Sequence, residues 1–155
     1  MGGCAGPGRE ARSLAPGSDR DGVTTLRLTV EYDGTDFCGF QWQPNARTVA
    51  GVLEAALSGM LDEPVKVTGA GRTDSGVHAC GQVVSFSTAR AFPFERLTIA
   101  LNSALPSDVT VRESAVASDD FSARFSAIER TYVYAILARR EPSALLRNAA
   151  YHVWR

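Results

Sequence analysis

The sequence predicts an α+β fold: a ferredoxin-like β-α-β-β-α-β order, with an antiparallel sheet that carries its helices on one face. Three observations predict it. Residues 26–32 alternate apolar and polar side chains, as a half-buried strand does. Val49, Val52, Leu53, Ala56, Leu57 and Met60 then recur at helical spacing and form one apolar stripe. Beyond them, short apolar runs at 65–68, 82–87 and 109–116 are interrupted by a single further helical stretch at 94–103.

Length and composition set the limits. A chain of 155 residues with 45% hydrophobic side chains fits one domain plus a tail and can bury a core. No apolar run reaches the roughly 18 residues a membrane helix needs, and the start lacks the apolar core of a signal peptide. The cytoplasm is the expected compartment. Cys4, Cys38 and Cys80 form no CxxC pair, so neither a disulfide framework nor a zinc site is indicated. The expected organisation is a flexible extension over 1–23, a ferredoxin-like domain carrying a glycine-rich loop over 24–118, and the start of a further unit over 119–155.

Each element has a local reason. The extension is rich in Gly, Ala, Ser and Pro without periodicity. After the first strand, Asp33-Gly34 turns the chain, and 36–45 is irregular around Phe37, Phe40 and Trp42, which read as core. Thr48 is placed to cap a helix running to about residue 61, where Asp62-Glu63-Pro64 stops it. Residues 65–68 and 82–87 read as the second and third strands. Pro93 suits the first position of the second helix, and Pro106 ends it. Residues 109–116 form the fourth strand. A further strand is expected over 130–138, with Tyr132, Tyr134 and Ile136 on one face. This layout leaves one sheet face free and places the glycine-rich loop between the second and third strands.

That loop, Gly69-Ala70-Gly71-Arg72-Thr73-Asp74-Ser75-Gly76-Val77-His78-Ala79-Cys80-Gly81, holds four of the chain's 14 glycines. Arg72 and Asp74 are two apart, and in an extended segment they point the same way. A guanidinium beside the carboxylate would keep it ionised and oriented, ready to act as nucleophile or base; the alternative is a structural pair that fixes a turn. No G-K-[S/T] follows the glycines, so a phosphate loop is not indicated. His78 and Cys80 lack the H-x-E and P-C-x-x-C of a zinc deaminase.

The net charge of -1 hides an asymmetry. Residues 1–63 carry five arginines against nine acids, and residues 64–155 carry Lys66 and ten arginines against eight acids. Arg124 and Arg130 interleave with Phe121, Phe125, Tyr132 and Tyr134, a pattern that suits a flipped base and its flanking phosphates or, equally, an ordinary strand.

Taken together these residues resemble a known family. Gly71-Arg72-Thr73-Asp74-Ser75-Gly76-Val77-His78-Ala79 is similar to the G-R-T-D-[A/S]-G-V-H-A signature of the TruA-type tRNA pseudouridine synthases. Tyr32-Asp33-Gly34-Thr35-Asp36-Phe37 with Gly39-Phe40-Gln41, Thr48-Val49 with Leu53-Glu54, Asn102 with Leu105-Pro106 and Asp108-Val109, and Phe121 with Ala123-Arg124, Ala127, Arg130, Tyr132 and Tyr134 match in the same order. The resemblance covers about residues 26–155, as the N-terminal half of such a protein.

The resemblance implies an isomerase that converts uridine to pseudouridine in the anticodon stem-loop of tRNA. It implies Asp74 as the catalytic aspartate, supported by Arg72 and by Tyr132 stacked on the uracil, with no cofactor and no metal. The implied partners are tRNA and a second copy of the chain, with no membrane. Arg124 and Arg130 are the candidate RNA contacts. Ala50 departs from the family's glutamine after Thr-Val. Length departs more, because family members continue into a second, similar half. The competing readings are a non-catalytic RNA-binding or assembly fragment, and a small-ligand or protein-interaction domain that would leave Arg72-Thr73-Asp74 without a role.

Overall fold

A computed structural model describes residues 22–154. The expected extension over 1–23 therefore lies almost wholly outside the described residues, as does Arg155.

Strand β1, Thr24–Tyr32, forms where the alternation places it. Leu26, Leu28, Val30 and Tyr32 enter the core, while Arg27, Thr29 and Glu31 face the other way. Helix α1, Val49–Leu61, starts at Thr48, whose hydroxyl accepts from the Gly51 N–H at 3.2 Å. It ends at Asp62, which takes a left-handed φ of 51°. Leu53 and Leu57 are fully buried, each a contribution of about 1.5–3 kcal/mol before ordering costs. Ala50, the departure at the helix start, is also buried, and its N–H donates to the Phe40 carbonyl at 2.9 Å.

Strand β2 is Thr68–Gly69, β3 is Ala79–Thr88 and β4 is Val109–Val116. The sheet order is β2-β3-β1-β4 with every pair antiparallel, the order the split β-α-β arrangement requires. Helix α2, Leu97–Ala104, buries Leu97 and Leu101 in the same cluster as the α1 leucines, so both helices cover one sheet face. The opposite face is polar. Thr25 and Ser87 hydroxyls meet across β1 and β3 at 3.1 Å, and Arg27 pairs with Glu113 at 2.9 Å. Among the described residues no helix is long and apolar enough to cross a membrane.

Three elements differ from expectation. The second strand is shorter and later than 65–68, because the Val65 N–H donates to the Ser58 hydroxyl and the Val67 N–H to the Glu54 carboxylate instead of to a ladder. The second helix opens with a 3-10 turn, Phe94–Arg96, and Pro93 precedes it rather than standing inside it. The expected strand over 130–138 is reduced to β5, Ile136–Ala138, which pairs in parallel with β6, Tyr151–Val153. Residues 130–135 alternate as a strand would, but they stand exposed, and apart from the Ala135 carbonyl, which accepts from the Tyr151 N–H of β6 at 2.8 Å, they form no ladder among the described residues. Tyr132 therefore reaches the site on an irregular segment, not on a strand.

Candidate active site

The loop over 70–78 leaves β2 at one end of the sheet and returns into β3. Its fixed points come from elsewhere in the chain. The Ala70 N–H donates to the Val83 carbonyl at 2.8 Å, and the Gln82 amide donates to the Gly71 carbonyl at 2.7 Å. Thr73 is held twice. Its carbonyl accepts from the Phe40 N–H at 3.0 Å, and its hydroxyl meets the Tyr32 phenol at 2.8 Å. The Phe37 carbonyl accepts from the Ser75 hydroxyl and the Gly76 N–H, at 3.1 and 3.3 Å. The irregular stretch after β1 thus serves as the cradle for the loop, and its buried rings, Phe37 and Phe40, key it into the core.

Two glycines make the close approach possible. A Cβ on Gly34 would stand 2.0 Å from the Val77 carbonyl oxygen. Gly39 has a φ of +91°, and a Cβ there would stand 2.9 Å from the Thr73 carbonyl oxygen.

His78 closes the loop. With its Nε2–H donating to the Asn148 carbonyl, Nδ1 is left to accept from the Gly34 N–H at 3.2 Å. The Asp33 carboxylate lies 3.0 Å from the same Nδ1. Hydrogen bonds from the hydroxyl and N–H of Thr35 hold that carboxyl below its usual range.

Asp74 sits at the exposed apex of this pinned loop. Its carbonyl accepts from the Val77 N–H at 3.2 Å, while no hydrogen bond or ion pair among the described residues engages its carboxylate. The expected Arg72–Asp74 pair is not formed. The same-side argument assumed an extended backbone, but the loop bends at Ala70 and Gly71 and turns at Ser75 and Gly76, with Thr73 between them anchored through both its carbonyl and its hydroxyl. Arg72 instead lines a cavity of about 450 Å³, with Arg124, Arg130, Tyr132, Phe40 and the Gly69–Gly71 backbone.

Four of the five residues singled out in the sequence meet in that cavity, and Asp74 stands two residues along the loop from Arg72. Arg130 reaches across it. Its Nε–H donates to the Ala70 carbonyl at 2.8 Å and its Nη2 to the Arg124 carbonyl at 3.2 Å. The Tyr132 hydroxyl lies 3.8 Å from where a Gly71 Cβ would be, so a larger residue at 71 would narrow the cavity. Tyr32, Thr73, Gln82 and Gly34 were not singled out as site residues. Nothing in their spacing shows that they converge, since each contact joins residues distant in the chain. Among the described residues no three His, Cys, Asp or Glu side chains gather as metal ligands would.

A family profile described as tRNA pseudouridine synthase matches residues 28–126, which span the sheet, both helices and the loop. The chain belongs to the tRNA pseudouridine synthase family. It is 48% identical over 130 residues to the tRNA pseudouridine synthase A of Caldicellulosiruptor saccharolyticus, covering 84% of this chain and 53% of that protein. It is 50% identical over 129 residues to the protein of that name from Halalkalibacterium halodurans, covering 83% of this chain and 49% of that one. The Bacillus subtilis protein of the same name is 44% identical over 129 residues, 82% of this chain and 52% of its own length. The chain thus spans about half the length of the curated relatives it matches.

Proposed function

We propose that this chain carries the catalytic-loop half of a tRNA pseudouridine synthase. In this reading Asp74 is the nucleophile that isomerises uridine to pseudouridine in the anticodon stem-loop of tRNA. The observation that carries the reading is an exposed, unengaged carboxylate on a loop fixed at Thr73, Ser75 and His78, beside a cavity bearing Arg72, Arg124, Arg130 and Tyr132. A base paired or stacked inside an RNA helix must leave it before a carboxylate can reach the nucleoside. The cavity's tyrosine ring and guanidinium planes suit a base held outside the stack.

In the proposed reaction the Asp74 carboxylate attacks the nucleoside and the bond between N1 of the uracil and C1′ of the ribose breaks. The uracil turns and its C5 bonds to C1′. C5 then gives up its proton, with Tyr132 assisting the transfer, and N1 ends protonated, so the product is an isomer and the aspartate is released unchanged. Arg72 holds the displaced base, and Arg124 together with the N–H groups of Arg130 not bound to carbonyls meets flanking phosphates. Residues 24–118 form the unit that presents the loop, and 119–155 begin the unit that closes over it. A cytoplasmic homodimer is part of the same proposal.

The test is pseudouridine formation on unmodified tRNA, comparing the chain with Asp74→Asn. Loss of product in the variant supports the nucleophile; equal product from both sinks it. The match to half of each relative favours one second reading, an RNA-binding or assembly fragment. That reading expects tRNA binding by both chains and product from neither.

A further inference from the structure

The loop that carries Asp74 is held at both ends by one and the same later segment of the chain. At its start the Arg130 guanidinium grips the Ala70 carbonyl at 2.8 Å, across a separation of 60 residues. At its end His78 donates to the Asn148 carbonyl, across 70 residues. Neither contact belongs to the sheet. The segment itself is docked independently, since the Ala123 N–H donates to the Ser85 hydroxyl on β3 at 3.0 Å in a buried setting.

We propose that the segment after β4 is a two-ended clamp on the loop, with Arg130 and His78 as its positioning residues. This rests on the proposed role of Asp74 for its functional meaning but not for its geometry. Arg130 suits the task because its fork donates in two directions at once, to Ala70 and to Arg124, while its stem lies 3.6 Å from the Gly71 Cβ position. A lysine has a single charged nitrogen and no fork. His78 suits it because its ring faces two partners on opposite sides, the Gly34 N–H and the Asn148 carbonyl. The clamp leaves the Asp74 side chain unengaged while restraining the backbone on both sides of it.

Amide hydrogen exchange on the chain tests the geometry without reference to activity. Arg130→Lys breaks the fork. His78→Asn keeps an acceptor near the Gly34 N–H and loses the reach to Asn148. Each is expected to speed exchange across 71–77 roughly tenfold, the loss of one hydrogen bond's restraint, while the amides of β1 and β3 exchange as in the parent. Unchanged exchange in 71–77, a rise in only one variant, or an equal rise throughout β1 and β3 would each overturn the two-ended clamp. Turnover supplies the second readout. Where the parent forms pseudouridine, both variants should lower kcat with the unfolding midpoint unchanged, and His78→Asn should do so with KM unchanged. A KM effect alone would assign Arg130 to RNA contact and overturn its positioning role. A parent chain without activity would count against the proposed function and leave the exchange result standing.

Discussion

The phenolic oxygen of Tyr32 lies 2.8 Å from the Thr73 hydroxyl, joining the last residue of β1 to the residue beside Asp74. Burial raises the Tyr32 pKa, and hydrogen bonds to Thr73 and Gln82 only partly offset it, so the phenol stays protonated. Tyr32→Phe deletes this bond and leaves the ring in place. A destabilisation of about 1 kcal/mol is expected from denaturant titration, together with faster amide exchange in the loop. No change in either would show that the cradle holds Thr73 through its carbonyl alone.

Gly34→Ala should be worse than its size suggests. The added methyl would meet the Val77 carbonyl oxygen at 2.0 Å, with backbone on both sides of the clash. Overpacking of this kind costs about 1–3 kcal/mol. The control is Gly59→Ala in α1, where nothing lies within 4 Å and the residue is exposed. There the better helix former should stabilise by about 0.5–1 kcal/mol. Thermal melts of the two variants should move in opposite directions.

Arg47 and Asp108 form a bidentate pair at 2.8 and 2.9 Å that ties the stretch before α1 to the start of β4. The guanidinium holds the Asp108 carboxyl below its usual range, and the carboxylate raises the arginine. A carboxyl whose folded pKa is depressed stabilises the fold above its unfolded pKa, about 4, and loses that contribution as pH falls through the folded value. Wild type should therefore exceed Asp108→Asn in stability at neutral pH, by under about 1 kcal/mol because both side chains are partly exposed. The gap should close only on acidification below about pH 4. A gap that persists at lower pH would show that packing, not charge, sets it.

Arg124→Ala should weaken tRNA binding at low salt and flatten its dependence on salt, lowering the log–log slope by about 0.7–0.9 for one phosphate contact. Binding measured across a salt series checks this, and an unchanged slope removes Arg124 from the RNA path.

The parts of this protein legible in its sequence were those governed by local periodicity and chemistry. The alternation before Tyr32, the stripe on α1 and the Thr48 cap located their elements because neighbours along the chain determine them. The Gly71-to-Ala79 motif likewise marked the loop. What the sequence could not show was the use of each polar group by a distant one. Glu54 takes the Val67 N–H and so shortens β2. Thr73, anchored to Tyr32 and Phe40, leaves Arg72 in the cavity instead of beside Asp74. The alternation through Tyr132 and Tyr134 had the period of a strand, but a strand also needs an adjacent ladder, and period alone does not supply one.

The far-separated bonds at the two ends of the loop also set an order in time. A chain made from its N-terminus emerges at about 5–20 residues per second, so the sheet is complete in sequence once Val116 has appeared. Arg130 and Asn148 follow later, Asn148 by roughly thirty residues, or a few seconds at that rate. Throughout that interval the residues around Asp74 have their cradle but not their later partners. The Asp74 carboxylate is thus among the last parts of the protein to reach its final setting, after the scaffold that bears it.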